Sequence, residues 1–160
     1  RIRETLFNWL QPDIAGARVL EPFAGSGVLS FEALSRGASH VTLLDIDPRT
    51  TSALAQTVAA LGCETASTIR RASATEWLAA CDQHFDIVLL DPPFGAGLIT
   101  PICRQLDKRN IISTRGLVYI ETEAPISAAE LPAGWTLTRQ KRAASVNYAL
   151  VEVGSPEAGP

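Results

Sequence analysis

Arg18-Val19-Leu20-Glu21-Pro22-Phe23-Ala24-Gly25-Ser26-Gly27-Val28 reads as a short apolar strand, a glycine turn and the head of a helix. Glycines at a strand-to-helix turn let backbone N–H groups approach a ligand closely at a helix N-terminus. The dinucleotide pattern G-x-G-x-x-G would put a third glycine where Ser30 stands, which disfavours a pyrophosphate ligand. Glu21 points the same way, because a carboxylate aimed into this crevice repels phosphate and suits a cation such as a sulfonium amino acid. A tight turn without any ligand is the competing, less favoured reading of the loop taken alone.

Outward from this stretch the elements alternate. Val28 to Arg36 is apolar on a broad face and closes at Gly37, a helix with a C′ glycine. His40 to Ile46 is a second strand, and Asp47-Pro48 supplies the N-cap and first position of a helix running to about Leu61. Thr65 to Arg70 is a weaker third strand, and Ser73-Ala74-Thr75-Glu76 fits a capping box. Phe85 to Leu90 is a fourth strand, Leu98 to Leu106 a helix and Gly116 to Glu121 a fifth strand. Trp135 to Arg139 and Val146 to Val153 lie too close together for a helical crossover and predict a hairpin. Ahead of the opening strand, Ile2, Leu6, Trp9 and Leu10 have helical spacing that Pro12 and Gly16 are expected to break.

Near-continuous apolar strands separated by helices predict a mostly parallel sheet covered on both faces. The expected fold is therefore α/β and Rossmann-like, with seven strands and an antiparallel C-terminal hairpin. One domain over residues 1–153 is expected, followed by a flexible tail over 154–160.

Composition narrows the class. A chain of 160 residues with 46% hydrophobic content suits one compact domain. No run of about 18 apolar residues occurs, which speaks against a membrane span, and no signal-peptide pattern opens the chain. A net charge of −3 and a pI near 5.4 argue against a strong electrostatic grip on nucleic acid. Cys63, Cys81 and Cys103 form no C-x-x-C pair, and His40 and His84 have no ligand cluster near them. Reduced, mostly buried thiols in a cytoplasmic protein are expected, with no metal site. The absence of Met, and an opening inside a helix, suggest a longer gene product.

Asp91-Pro92-Pro93-Phe94 directly follows the apolar run Ile87 to Leu90. An acid and two prolines at a strand's end make a rigid set of outward-facing acceptors, suited to holding a planar amine beside an aromatic ring. Phe94 precedes Gly95-Ala96-Gly97, so it is expected to be exposed and able to stack on a base rather than to fill the core. Asp45 lies twenty residues after Gly25, the spacing at which an acid reaches a ribose hydroxyl pair. Asp47 competes for that role, although its place before Pro48 favours a cap. Ser73-Ala74 after the third strand offers an oxygen and an N–H to an adenine edge, or caps a helix, or both. All these loops fall at the carboxyl ends of parallel strands, where open α/β sheets bind ligands.

The opening Arg3-Glu4-Thr5-Leu6-Phe7-Asn8-Trp9-Leu10, the loop Glu21 to Gly27, Glu32-Ala33-Leu34-Ser35-Arg36-Gly37 and Asp91-Pro92-Pro93-Phe94 together resemble the RsmD family. That family lies within the class I S-adenosylmethionine-dependent methyltransferases. The resemblance extends from Arg3 to about Val153 and implies methylation of a guanine N2 in bacterial small-subunit (16S) ribosomal RNA. It implies S-adenosylmethionine as cofactor, held by Glu21, Phe23, Gly25, Gly27, Asp45, Ile46, Ser73, Ala74 and Asp91. It also implies catalysis at Asp91, Pro92, Pro93 and Phe94. The expected partner is small-subunit ribosomal RNA or an assembly particle, met by a cytoplasmic monomer without membrane attachment. The family usually has a basic N-terminal segment ahead of the opening helix, and the position of Ser73 more often carries Asp or Asn.

Two other readings compete: an adenine-N6 methyltransferase using the same tetrapeptide, and a non-catalytic nucleotide-binding module. The basic groups Arg104, Lys108, Arg109 and Arg115, and Arg139, Lys141 and Arg142, read by default as solvated surface.

Overall fold

The computed structural model describes residues 1–154, so the expected tail lies outside the described residues except for Gly154. The elements are α1 (Ile2–Ile14), β1 (Arg18–Glu21), α2 (Val28–Ser35), β2 (His40–Asp45), α3 (Pro48–Leu61), β3 (Ser67–Arg71) and α4 (Ala74–Ala79), followed by β4 (Phe85–Leu90), α5 (Ile99–Lys108), β5 (Ile112–Thr122), β6 (Thr136–Ala143) and β7 (Val146–Glu152). Short 3₁₀ turns occur at Glu64–Ala66 and Ala128–Glu130.

One seven-stranded sheet has the order β3-β2-β1-β4-β5-β7-β6. The first five strands pair in parallel, and β7 runs antiparallel to both β5 and β6. The hairpin is therefore present as expected, with its second strand inserted between the first and the rest of the sheet. Strand order reverses between β1 and β4, so the loops after these two strands diverge and leave a crevice at their carboxyl ends.

Side chains alternate across the sheet and build two cores. Val19, Leu43, Ile87, Leu89 and Tyr119 face one way and pack under Leu6, Phe7 and Leu10 of α1, Leu29 of α2 and Leu54 of α3. Leu20, Leu44, Val88, Leu90 and Ile120 face the other way, against Leu78 of α4 and Ile102, Cys103 and Leu106 of α5. Both faces are thus covered, which is why the strands carry no polar alternation.

Three local expectations need correction. α1 does not stop at Leu10 but continues through Pro12 to Ile14. Proline withdraws only its own N–H, which would have bonded to the carbonyl of exposed Asn8, while the fully buried Ile14 holds the last turn on the core. At α4 only half of the capping box forms: Ser73 Oγ accepts from Glu76 N at 3.4 Å. The complete box stands at Ser127 and Glu130. β5 begins at Ile112 rather than Gly116, with a register irregularity opposite Phe85–Ile87. A Cβ on Gly116 would come within 2.8 Å of the Ser113 carbonyl.

Candidate active site

The turn after β1 is built by two left-handed glycines. Gly25 (φ +54) has open space where a side chain would stand. At Gly27 (φ +75) a Cβ would meet Phe31, Leu54 and Leu43 within 2.6–3.0 Å. Gly25 therefore serves the crevice, whereas Gly27 faces apolar side chains and brings α2 tightly onto the sheet.

Asp45 ends β2 with both carboxylate oxygens oriented by backbone. Oδ2 accepts from Gly25 N at 3.2 Å and Oδ1 from Asp47 N at 3.0 Å. Each oxygen keeps a lone pair for a further donor. Asp47 instead caps α3, accepting from Arg49 N at 2.8 Å. Geometry thus separates the two acids.

A cavity of about 520 Å³ is lined by Pro22, Phe23, Gly25, Asp45, Ile46, Ala72 to Thr75, Asp91 to Phe94 and Leu98. It brings together seven of the nine residues expected around a cofactor: Phe23, Gly25, Asp45, Ile46, Ser73, Ala74 and Asp91. Ile46 is 69% exposed on its wall, an apolar surface where a flat ring can lie. Glu21 and Gly27 do not line this cavity.

Glu21 is turned inward and is only 3% exposed. Its Oε1 accepts from Ser30 Oγ at 2.7 Å and Ser30 N at 3.3 Å. Burial, against which the Ser30 bonds pull, drives its carboxyl from 4.5 up to about 8. The reading of Glu21 as a charge pointing into the crevice thus gives way to a buried acid acting from behind the loop. The short strand puts its last residue in the sheet rather than in the turn.

Asp91 leaves β4 into the loop, and Pro92 behind it is buried. Leu90 pairs with Ile120 in register, so Asp91 and Glu121 occupy the next positions of neighbouring parallel strands. Their carboxyls lie close enough to interact, and desolvation in the concave site raises both, Glu121 to about 7. Glu21 feels the charge of Asp91 and Glu121, and Glu121 that of Asp91, and among the described residues no salt bridge neutralises any of them. Of the three, Asp91 lines the first cavity, where its ionised form would favour a cation.

Phe94 is 50% exposed, with Gly95 (φ +78) and Gly97 (φ +61) directly after it. A second cavity of about 410 Å³ lies beyond the tetrapeptide and shares Pro92, Pro93, Phe94 and Leu98 with the first. Glu121, Thr122, Glu123 and Ala124 to Ile126 also line it. Sequence reasoning missed Glu121 and this chamber. The available signal was an acid at the end of GLVYIE, one strand over from Asp91.

The family described as Conserved hypothetical protein 95 matches residues 1–152. The chain belongs to this family. Ribosomal RNA small subunit methyltransferase D of Escherichia coli K12 is 38% identical over 152 residues, covering 95% of this chain and 76% of that protein. The protein of the same name from Haemophilus influenzae is 39% identical over 155 residues, covering 95% and 80%. The solved structure of yhhF from Escherichia coli superposes with a TM-score of 0.90 at 37% identity, covering 97% of this chain and 85% of that one. The resemblance to the RsmD family and the expected fold are both borne out.

The basic groups of the two clusters are all exposed. Arg109 donates to the Cys81 carbonyl at 2.9 Å and Arg142 to the Ala144 carbonyl at 3.0 Å. Cys81 and Cys103 are buried and Cys63 half-buried, all as free thiols. Burial pushes Cys103 up to about 12. No helix among the described residues is long and apolar enough to cross a membrane.

Proposed function

We propose that this chain transfers a methyl group from S-adenosylmethionine to the exocyclic N2 amine of a guanine in small-subunit ribosomal RNA. One observation carries the reading: Pro92, Pro93 and Phe94 form a wall shared by two cavities, one of them also lined by Gly25 and Asp45. A nucleoside donor on one side and a planar acceptor on the other would meet at that wall.

The residues fit the cofactor. Asp45 retains acceptor capacity for two ribose hydroxyls, while Ile46 and Ala74 offer apolar surface and Ser73 a hydroxyl to the adenine. Asp91, the one of the three acids that lines the first cavity, suits a cationic sulfonium and ammonium. S-adenosylmethionine supplies an electrophilic methyl group when bound. Gly25, with no side chain, lets the loop backbone approach it, and Phe23 packs beside it. Glu21 supports the loop from behind through its hydrogen bonds with Ser30.

Guanine N2 is a weak nucleophile because its lone pair is delocalised into the ring. The Asp91 carboxylate and the Pro92 carbonyl accept its two N–H bonds and draw the nitrogen toward tetrahedral geometry. Its lone pair then faces the first cavity. Pro93 stiffens the turn, and Phe94 stacks on the base, which must leave its helix or loop to arrive. Positioning and electrostatics of this kind lower a barrier by several kcal/mol. An ionised Asp91 stabilises positive charge developing on nitrogen and can take the departing proton.

The expected substrate is the RNA itself or an assembling small-subunit particle, met by a cytoplasmic monomer. Labelled-methyl transfer to small-subunit RNA and particles, followed by nucleoside analysis, tests the reading. N2-methylguanosine is expected, and Asp91→Ala should abolish it while S-adenosylhomocysteine still binds. N6-methyladenosine as product would overturn the guanine assignment. Near-normal turnover by Asp91→Ala would overturn the amine clamp.

A further inference from the structure

Glu121 is a half-buried acid that the chemistry above leaves unused, and it stands on the side of the tetrapeptide away from the nucleoside cavity. We propose that the second cavity receives the target base and that the Glu121 carboxylate accepts its ring N1–H, selecting guanine over adenine. The proposal rests on the guanine-N2 reading and deepens it.

The placement is set by the sheet. Asp91 and Glu121 extend from adjacent strands, one position beyond the Leu90–Ile120 pair, which brings their carboxyls close enough to influence one another. A base lying in the second cavity meets Pro93, Phe94 and Glu121, which all line it. With Asp91 and the Pro92 carbonyl holding the two N2 hydrogens, the neighbouring acceptor at Glu121 falls where guanine carries its N1 hydrogen.

The chemistry then discriminates. Guanine presents three hydrogens in a row on this edge, two on N2 and one on N1. Adenine presents an amine beside N1, which is an acceptor. Ionised carboxylates offer acceptors only, so the pair matches guanine and sets lone pair against lone pair with adenine. Selection by a repulsive contact is as effective as selection by an attractive one.

The groups facing Glu121 tune this edge. Asp91 lies beside it on β4 and the Tyr119 hydroxyl on its own strand, Tyr148 stands opposite on β7, and Glu21 on β1 feels its charge. No cation is paired with it among the described residues. The Tyr119 hydroxyl is buried without a partner at hydrogen-bonding geometry, although it lies close enough to influence Glu121. Burial and Asp91 raise the Glu121 carboxyl to about 7. Below that pH a proton occupies the pair and removes an acceptor, so guanine turnover should rise with pH through about 7.

The test compares small-subunit RNA carrying guanine or 2-aminopurine at the methylated position. 2-Aminopurine keeps the 2-amine but has an acceptor at N1. The wild-type protein should favour guanine by about tenfold or more in kcat/KM, the range of one good base-edge contact. Glu121→Gln, whose amide can donate to N1 of 2-aminopurine, should lose about tenfold on guanine and narrow that preference, with S-adenosylhomocysteine affinity unchanged. It should also lose the rise in turnover near pH 7. Equal use of both bases by the wild-type protein overturns the proposal even if the variant does not fold, as does an unchanged preference in a folded variant. A wild-type product other than N2-methylguanosine instead defeats the guanine-N2 reading on which the proposal stands.

Discussion

Glu21→Gln should make the protein more stable at alkaline pH and leave it little changed in acid. In the folded chain the Glu21 carboxyl is raised from 4.5 to about 8, chiefly by burial. A carboxyl with a raised folded pKa binds more protons in the native state than in the unfolded state between those two values. Stability therefore falls as pH rises through that window and levels off above about 8. Each tenfold change in proton affinity is worth about 1.4 kcal/mol, so the ceiling on the loss is about 5 kcal/mol. Glutamine removes this proton site while its Oε1 still accepts from Ser30 Oγ and Ser30 N, now at 2.7 and 3.3 Å from the Glu21 oxygen. Asp91 and Glu121 also titrate with raised values, so the informative quantity is the difference between the two proteins. Denaturant unfolding at several pH values between about 5 and 9 should show the variant gaining several kcal/mol on the wild type at the alkaline end. Parallel stability profiles would mean that Glu21 ionises like a surface carboxylate, and the buried-acid account would be wrong.

Asp45→Ala removes the acceptor aligned by Gly25 and Asp47 and should weaken S-adenosylhomocysteine binding by about 1.5–3 kcal/mol, read by calorimetry. Unchanged affinity would exclude the ribose role. Phe94→Ala should raise the KM for RNA by the equivalent of about 1–3 kcal/mol of lost stacking, with a smaller effect on cofactor affinity; steady-state kinetics with each substrate varied separates the two. Gly27→Ala forces a Cβ within 2.6 Å of Phe31 and 2.7 Å of Leu54 at a left-handed φ. It should cost about 1–3 kcal/mol from overpacking and strain, seen as a lowered melting temperature. Gly25→Ala, with nothing within 4 Å of the new Cβ, meets only the backbone strain and should be the milder change in melting temperature.

Much of this protein is legible in local spacing, because local spacing is what hydrogen bonding and capping act on. Gly25 and Gly27 announce a strand-to-helix turn, Asp47-Pro48 a helix start and Asp91-Pro92-Pro93 a stiff strand exit, and each stands where those rules put it. Proline in α1 misled because the burial of Ile14, a tertiary effect, outweighs one missing hydrogen bond. Only the sheet order places the loops after β1 and β4 on either side of one crevice. Only the β4–β5 register sets Glu121 against Asp91, thirty residues apart in the chain. The inward turn of Glu21 is likewise invisible in sequence, since an acid's pKa is decided by what surrounds it in space. Residue types and their spacing determined the fold and the chemistry at its strand ends; packing decided which acids are charged, which are joined and what they face.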